Sequence, residues 1–298
     1  MSDTRLDPEM AEALRVNAGL QPPGDRDALP LADQRRIFSE TRRFWNEPPL
    51  PVGGMTESKL QTGIAYRRYT RTDSEPGPLL VYLHGGGWVV GTLDTHDCVA
   101  RALCRHASFE VCSLDYPLAP ETPFEQIVNV IVRSVAELAT LEPGRRIALC
   151  GDSAGAHLAV FAAARLMSVI GDRLVGLVSL YGVLARRNDL PSFAAFGDGI
   201  YGLSSKRMEL YWSHLNADAL ADPLALDATL PPTLVVAAEL DVLRDSSYLF
   251  AAGLAGRGVT AICETETGMT HAFMGYGRTI RRVAHCAERV GAFLHQLT

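Results

Sequence analysis

The feature that most constrains this chain is an alternation of strand-like and helix-like segments that runs from about residue 60 to its end. The strand-like segments are short runs of Val, Ile, Leu and Tyr, which is typical of strands buried on both faces of a sheet. They cover residues 64–69, 79–83, 110–114, 146–150, 174–180, 233–238 and 259–264. Strands that alternate with helices in this way predict an α/β fold with a mostly parallel sheet.

The segments between these strands have the length and the apolar spacing of helices. Apolar residues recur every three or four positions, as they do at Val283, Ala287, Val290 and Leu294. The predicted helices cover residues 95–106, 124–141, 154–170, 246–256 and 279–296.

Two regions depart from the alternation. Residues 1–50 have helical character around a Pro- and Gly-rich break, and residues 185–225 form an aromatic-rich insertion between two strands. An insertion of this size is too long for a bare loop. We therefore predict N-terminal cap helices over residues 1–50, followed by one α/β domain over residues 51–298 with a helical cap insertion at about 185–225.

Composition and charge exclude several classes of function. The 298 residues are 47% hydrophobic and 21% charged, which indicates an ordinary globular protein. The net charge is −6, with 34 acidic against 28 basic residues and no long basic run. This balance argues against nucleic acid and against anionic membranes as partners, and it favours a small, neutral or mildly polar substrate.

The cysteines and the N-terminus bear on compartment and metal binding. Six cysteines are scattered without a C-x-x-C pair, so the sequence predicts neither a zinc site nor a disulfide framework. The first residues lack an apolar targeting segment, and no stretch reaches the ~18 apolar residues that a membrane helix needs. We expect a cytoplasmic protein that binds no metal.

The clearest chemical motif is Gly-Asp-Ser-Ala-Gly at residues 151–155. It follows a predicted strand and opens a predicted helix, which is the context that a G-x-S-x-G nucleophile elbow requires. Glycines on both sides allow a sharp turn without a Cβ clash, so that the Ser153 hydroxyl is presented at the sheet edge beside a helix N-terminus. The motif makes Ser153 the candidate nucleophile.

A second motif, His-Gly-Gly-Gly-Trp at residues 84–88, directly follows the strand predicted at residues 79–83. Glycine backbone can approach closely enough to direct N–H groups at the oxyanion of an acyl-transfer intermediate. We therefore predict an oxyanion loop at Gly85, Gly86 and Gly87, with the N–H groups of Gly86, Gly87 and Ala154 as donors. A nucleotide-binding loop is disfavoured, because neither glycine-rich phosphate-binding pattern is present.

A serine nucleophile requires a base and a carboxylate that orients the base. Asp241 follows the strand at 233–238 and His271 follows the strand at 259–264, in the hydrolase order Ser, Asp, His. Both lie just beyond the carboxyl end of a strand, where ligands and catalytic groups gather in open α/β sheets. Glu239 and Asp245 are the rival acids. The remaining histidines are interpreted as structural or surface residues: His84, His96, His106, His157, His214, His285 and His295.

Five motifs in this order carry a specific resemblance. They are His84 to Trp88, Asp115 to Glu121 (Asp-Tyr-Pro-Leu-Ala-Pro-Glu), Gly151 to Gly155, Asp241-x-Leu243 and His271-x-Phe273. Over about residues 60–298 the chain resembles the hormone-sensitive-lipase-like bacterial carboxylesterases, and within them the bacterial acetyl esterases.

The resemblance implies an α/β-hydrolase fold, with a mostly parallel eight-stranded sheet covered by a helical cap. It implies Ser153 as nucleophile, His271 as general base and then acid, and Asp241 as the orienting carboxylate. The expected substrates are short acyl esters, acetyl to butyryl, with Trp88 in the wall of the substrate pocket and with no cofactor. A monomer and a homodimer both fit the family.

Three other interpretations stay open at this stage. An amidase or formamidase uses the same triad, and so does a lactonase. A non-catalytic binding protein on a hydrolase scaffold is disfavoured, because Ser153, Asp241 and His271 are all present.

Overall fold

A computed structural model describes residues 4–72, 77–217 and 221–297. The strands are β1 Gly54–Lys59, β2 Ala65–Thr70, β3 Leu79–Leu83, β4 Val111–Leu114, β5 Ile147–Asp152, β6 Leu174–Leu180, β7 Thr233–Leu240 and β8 Ala261–Thr270. The helices are α1 Pro8–Gly19, α2 Leu31–Asn46, α3 Asp97–His106, α4 Phe124–Leu141, α5 Ala154–Leu166, α6 Pro191–Phe196, α7 Ser205–Leu215, α8 Arg244–Gly256 and α9 Arg282–His295.

The strands form an eight-stranded sheet in the order β1-β2-β4-β3-β5-β6-β7-β8. The pairs β1–β2 and β2–β4 are antiparallel, and every later pair is parallel. The predicted fold, a mostly parallel α/β-hydrolase sheet of eight strands, is confirmed. Strand β1 was missed by the sequence analysis, because its residues are polar and nearly all exposed at the edge of the sheet.

Helices cover both faces of the sheet. Alternate residues of β3 point to opposite sides: Val81 belongs to the core that includes residues of α4, α5 and α8, whereas Leu80 and Tyr82 belong to the core that includes residues of α3 and α9. The strands β3, β4 and β5 are buried along their whole length, which explains their near-continuous apolar sequences. Because strands β3 to β8 run parallel to one another, their carboxyl ends all lie at the same edge of the sheet.

The sheet and the helices on its two faces are called the body below. Helices α1, α2, α6 and α7 lie outside it. Helices α1 and α2 belong to residues 1–50, and helices α6 and α7 belong to the insertion at 185–225. Residues 1–3 of the first region and residues 218–220 of the second lie outside the described part of the chain. Arg207 of α7 forms an ion pair of 2.7 Å with Asp27, which joins the two regions to each other. Both regions contribute to the cavity described below.

Trp45 packs helix α2 against the body. Its ring meets Tyr276 edge-on at 4.8 Å, its Nε1 donates to Asn17 Oδ1 over 3.1 Å, and it is 2% exposed. Among the described residues, no helix combines the length and the apolar character that a membrane span needs.

We predict that Trp45→Ala lowers the free energy of unfolding by about 3–5 kcal/mol, because it leaves a cavity between α2 and the body. The neighbouring Phe44, which is 38% exposed, provides the control: Phe44→Ala should cost clearly less. Urea unfolding followed by circular dichroism measures both variants. Equal losses would show that Trp45 does not anchor the helix.

Candidate active site

Ser153 stands at a strained turn between β5 and α5. Its backbone has φ 52° and ψ −119°, a conformation that a non-glycine residue rarely adopts. A Cβ on Gly155 would lie 2.0 Å from the carbonyl oxygen of Leu83, and one on Gly151 would lie 2.4 Å from the backbone of Gly155. The flanking glycines are thus needed for close backbone approach, as the sequence analysis predicted.

The structure brings Ser153, His271 and Asp241 together. Nδ1 of His271 lies 2.7 Å from Asp241 Oδ2 and donates its hydrogen to that carboxylate. The other ring nitrogen, Nε2, then accepts from the Ser153 hydroxyl over 2.8 Å. Asp241 is buried, and its Oδ1 accepts from the N–H of Leu243 over 3.0 Å, which fixes the carboxylate.

Neither rival acid reaches His271 with a hydrogen bond in the described structure. Glu239 Oε2 accepts from the N–H of Gly268 over 2.7 Å and so supports the loop that carries His271. Asp245 pairs with Arg244 and accepts from the N–H of Ser192 in the insertion over 2.8 Å. Both rivals therefore have structural partners of their own.

The glycine loop at 85–87 lies against the elbow. The backbone N–H groups of Gly86 and Gly87 have no acceptor among the described residues. Ala154 is the first residue of α5, so its N–H has no acceptor within the helix. Gly85 is a correction to the predicted loop: its N–H already donates to Asp152 Oδ1 over 2.7 Å, so it is not available to an oxyanion.

Asp152 is a functional residue that the sequence analysis missed. Its Oδ1 accepts from the Tyr82 hydroxyl over 2.6 Å as well as from Gly85, so one buried carboxylate ties the glycine loop to the elbow. Burial raises the pKa of Asp152, although the hydrogen bonds from Tyr82 and Gly85 act in the opposite direction. The sequence signal was an acid next to the candidate nucleophile, at the end of a buried strand.

A stack of rings supports the glycine loop from behind. His84 stacks on Tyr116 at 4.3 Å and on His96 at 5.2 Å, and its Nδ1 donates to the carbonyl oxygen of Gly85 over 2.8 Å. Burial lowers the pKa of His84 to about 4 and lowers that of His96 well below its ordinary value. Both rings are therefore neutral, in agreement with a structural interpretation.

Trp88 does not occupy the place that was predicted for it. The side chain is fully buried and packs against Trp212 at 4.6 Å and His157 at 5.1 Å. It is not among the described residues that line the cavity at Ser153. Its backbone has φ 65°, in the left-handed region. Trp88 thus packs the insertion against the body.

A cavity of about 170 Å³ opens onto Ser153 and His271. Gly86 and Gly87 form one wall, with the ring of Tyr211 closely against Gly87. Tyr181 meets the ring of His271 edge-on at 5.3 Å and lines the same space. Residues 1–50 line another part of the cavity with the apolar side chains of Leu14 and Phe38 and with five polar ones: Asn17, Gln21, Arg26, Thr41 and Arg42.

Within the described part of the chain, His96 and His271 are the histidines that line this cavity, and no cluster of His, Cys, Asp and Glu suited to a metal ion occurs. His157 lies behind the elbow, where its Nε2 donates to the carbonyl oxygen of Ala221 over 2.8 Å. Burial lowers its pKa to about 4.

Comparisons with known proteins agree with this geometry. A family model described as alpha/beta hydrolase fold matches residues 80–275, which is more than half of the chain. The chain therefore belongs to this α/β-hydrolase family, which confirms the predicted hormone-sensitive-lipase-like resemblance.

Solved structures match over nearly the whole chain. A hyperthermophilic esterase from the archaeon Pyrobaculum calidifontis is 27% identical with a TM-score of 0.87, over 98% of this chain and 99% of that one. An ester hydrolase from the metagenome of Lake Arreo, solved with a bipyridine phosphonate derivative, is 27% identical with a TM-score of 0.86, over 97% and 98%. An α/β-hydrolase enzyme from the same metagenome is 25% identical with a TM-score of 0.87, over 98% of each chain.

The buried neutral histidines predict a loss of stability in mild acid. An unfolded histidine takes up a proton near pH 6.5, whereas folded His157 does so only near pH 4. Stability therefore falls as the pH drops through this window, by up to ~3 kcal/mol for such a residue.

His157→Phe should flatten the dependence of unfolding free energy on pH between about 6.5 and 4, by up to ~1.4 kcal/mol per pH unit. His285→Gln, at an exposed position of α9, should leave the slope unchanged. Urea unfolding at a series of pH values measures the slopes, and an unchanged slope in His157→Phe would contradict the prediction.

Proposed function

We propose that this chain is a serine carboxylesterase that hydrolyses short-chain acyl esters through an acyl-enzyme. The observation that carries the proposal is the hydrogen-bonded series from Ser153 through His271 to Asp241, beside N–H groups without acceptors in the described structure. The names of similar solved structures, which are esterases and an ester hydrolase, support the same activity.

In the proposed mechanism the Ser153 oxygen attacks the ester carbonyl while Nε2 of His271 takes the hydroxyl proton. The N–H groups of Gly86, Gly87 and Ala154 stabilise the resulting oxyanion. His271 then returns the proton to the leaving alcohol as the C–O bond breaks. Water repeats the attack on the acyl-enzyme, with His271 again as base, and releases the acid.

Asp241 has an orienting role in this proposal. Its bond to Nδ1 holds the imidazole in the tautomer that leaves Nε2 free to accept a proton, and its negative charge stabilises the imidazolium that forms.

The size of the cavity supports substrates with small acyl groups, acetyl to butyryl, as in the acetyl esterases that the sequence resembles. Its volume of about 170 Å³ is below the range of roughly 300–1,000 Å³ that is common for ligand pockets.

In this proposal, residues 1–50 and the insertion at 185–225 form the cap over the domain at 51–298. A cytoplasmic location and a monomeric or homodimeric state stay predictions.

An amidase or a lactonase would use the same triad as an esterase, so only the preferred substrate distinguishes these three activities. The binding-protein alternative is weakened by geometry: Ser153 is 7% exposed, yet it lines a cavity and is hydrogen bonded to His271.

Hydrolysis of p-nitrophenyl esters from acetate to palmitate tests the main proposal, with the matching anilides and a series of lactones beside them. An optimum at palmitate or at the anilides would overturn it.

Ser153→Ala and His271→Ala should each lower kcat by about 10³-fold or more, since the members of a triad act as a unit. Circular dichroism and thermal unfolding serve as the control for folding. Wild-type Ser153 should also be labelled by an organophosphonate, as detected by mass spectrometry of the peptide that contains it. A variant that keeps most of the activity would refute the assignment.

Asp241→Asn should lower kcat by about 10⁴-fold, because an amide at this position favours the wrong tautomer of His271. Glu239→Gln is the matched control: it removes a carboxylate two residues away, near the end of β7, but one whose hydrogen bond is accepted from the backbone N–H of Gly268. If Glu239→Gln lowered kcat more than Asp241→Asn, the acid would be misassigned. The initial rate of p-nitrophenyl acetate hydrolysis measures both.

A further inference from the structure

Arg42 is a buried cation in the wall of the catalytic cavity. It is 7% exposed and lines the same space as Ser153 and His271. Its guanidinium donates to the carbonyl oxygens of Gly275 (2.7 Å) and Thr95 (3.2 Å) and to Cys98 Sγ (3.2 Å). Within residues 4–72, 77–217 and 221–297, no carboxylate oxygen lies within 4 Å of it.

A buried charge without a counter-ion is unfavourable, because carbonyl dipoles replace only part of the hydration that the guanidinium loses. Asp152, the acid that lines the cavity in the described part of the chain, forms no ion pair with Arg42, although the two charges attract each other at longer range. Its Oδ1 accepts from Tyr82 and Gly85, and its Oδ2 lies 4.0 Å from His96 Nε2. An anion that enters the cavity would supply the missing partner.

Arg26 adds a second positive charge to the same wall. It is half-buried, and its Nη1 donates to Gln21 Oε1 over 2.8 Å. Gln21 in turn donates to Thr41 Oγ1 over 3.0 Å, so three polar side chains form one connected surface. Arg207 also lines the cavity, but its charge is matched by Asp27 at 2.7 Å. In the described structure neither Arg26 nor Arg42 has a carboxylate at ion-pair distance, and the acids Asp27 and Asp152 act on them only at longer range.

We propose that the preferred substrate is an ester that carries a carboxylate on its acyl or alcohol half, and that Arg42, with Arg26, binds this carboxylate. This inference rests on the proposed esterase function and specifies the substrate class of the same site. A guanidinium is suited to a carboxylate because its planar set of donors forms charge-assisted hydrogen bonds with it. The small cavity restricts both the ester and its anionic group to a few carbon atoms.

Two pairs of matched substrates test the proposal. Monoethyl glutarate and ethyl glutaramate differ only by carboxylate against carboxamide on the acyl half. The acetyl esters of glycolate and of glycolamide differ in the same way on the alcohol half. Wild-type enzyme should hydrolyse the carboxylate member of at least one pair with a kcat/KM about tenfold or more above its amide partner, as measured by pH-stat titration.

Arg42→Gln should bring this ratio close to one, whereas Arg42→Lys should restore part of it. Arg36→Gln is the matched control, since Arg36 lies on the same helix but is exposed and paired with Asp33 and Glu40. Arg42 also holds the backbone of Gly275, so Arg26→Gln provides a second variant that leaves those bonds intact. It should lower the ratio severalfold.

The outcomes separate this inference from the proposed function. Hydrolysis of p-nitrophenyl acetate with a ratio near one in both pairs would overturn the carboxylate preference and leave the esterase function standing. A ratio above ten that persists in both Arg42→Gln and Arg26→Gln would overturn the assignment to these residues. Absence of turnover with every ester, together with no labelling of Ser153 by the organophosphonate, would overturn both.

Discussion

The arrangement of the site depends on one close backbone contact, between the start of α5 and the end of β3. At Gly155 the distance to the carbonyl oxygen of Leu83 leaves no room for a Cβ, so the elbow and the glycine loop after β3 are held against each other. Ser153 consequently lies beside the N–H groups of Gly86 and Gly87. The strained backbone at Ser153 persists because these contacts on both sides determine it.

Much of this site could be predicted from the sequence, since its parts follow the carboxyl ends of parallel strands of one sheet. Ser153 after β5, Asp241 after β7 and His271 after β8 must meet at one edge whatever the details of packing. Two features escaped prediction. Strand β1 has polar, exposed residues without apolar alternation, and the N–H of Gly85 is occupied by Asp152, a hydrogen bond between residues 67 positions apart.

The region over the site was the least predictable, because its position is set by tertiary contacts that leave no periodic signal. The helices of residues 1–50 were predicted, but not which of their faces turns towards Ser153. Trp88 illustrates the same limit: its place next to the glycine loop suggested the pocket, whereas in the structure its ring packs against Trp212 of the insertion. Likewise, which polar side chains of residues 1–50 reach the cavity depends on how this region packs against the rest of the chain, and not on its composition.

The bonds of Arg42 connect helix α2 to the chain segment that follows His271. One end of this side chain is fixed to α2, and its guanidinium holds the carbonyl oxygens of Thr95 and of Gly275, four residues beyond His271. A single side chain of α2 therefore holds both the segment before α3 and the segment after His271. The docking of α2 and the backbone next to His271 thus share the same hydrogen bonds, so neither is positioned independently of the other.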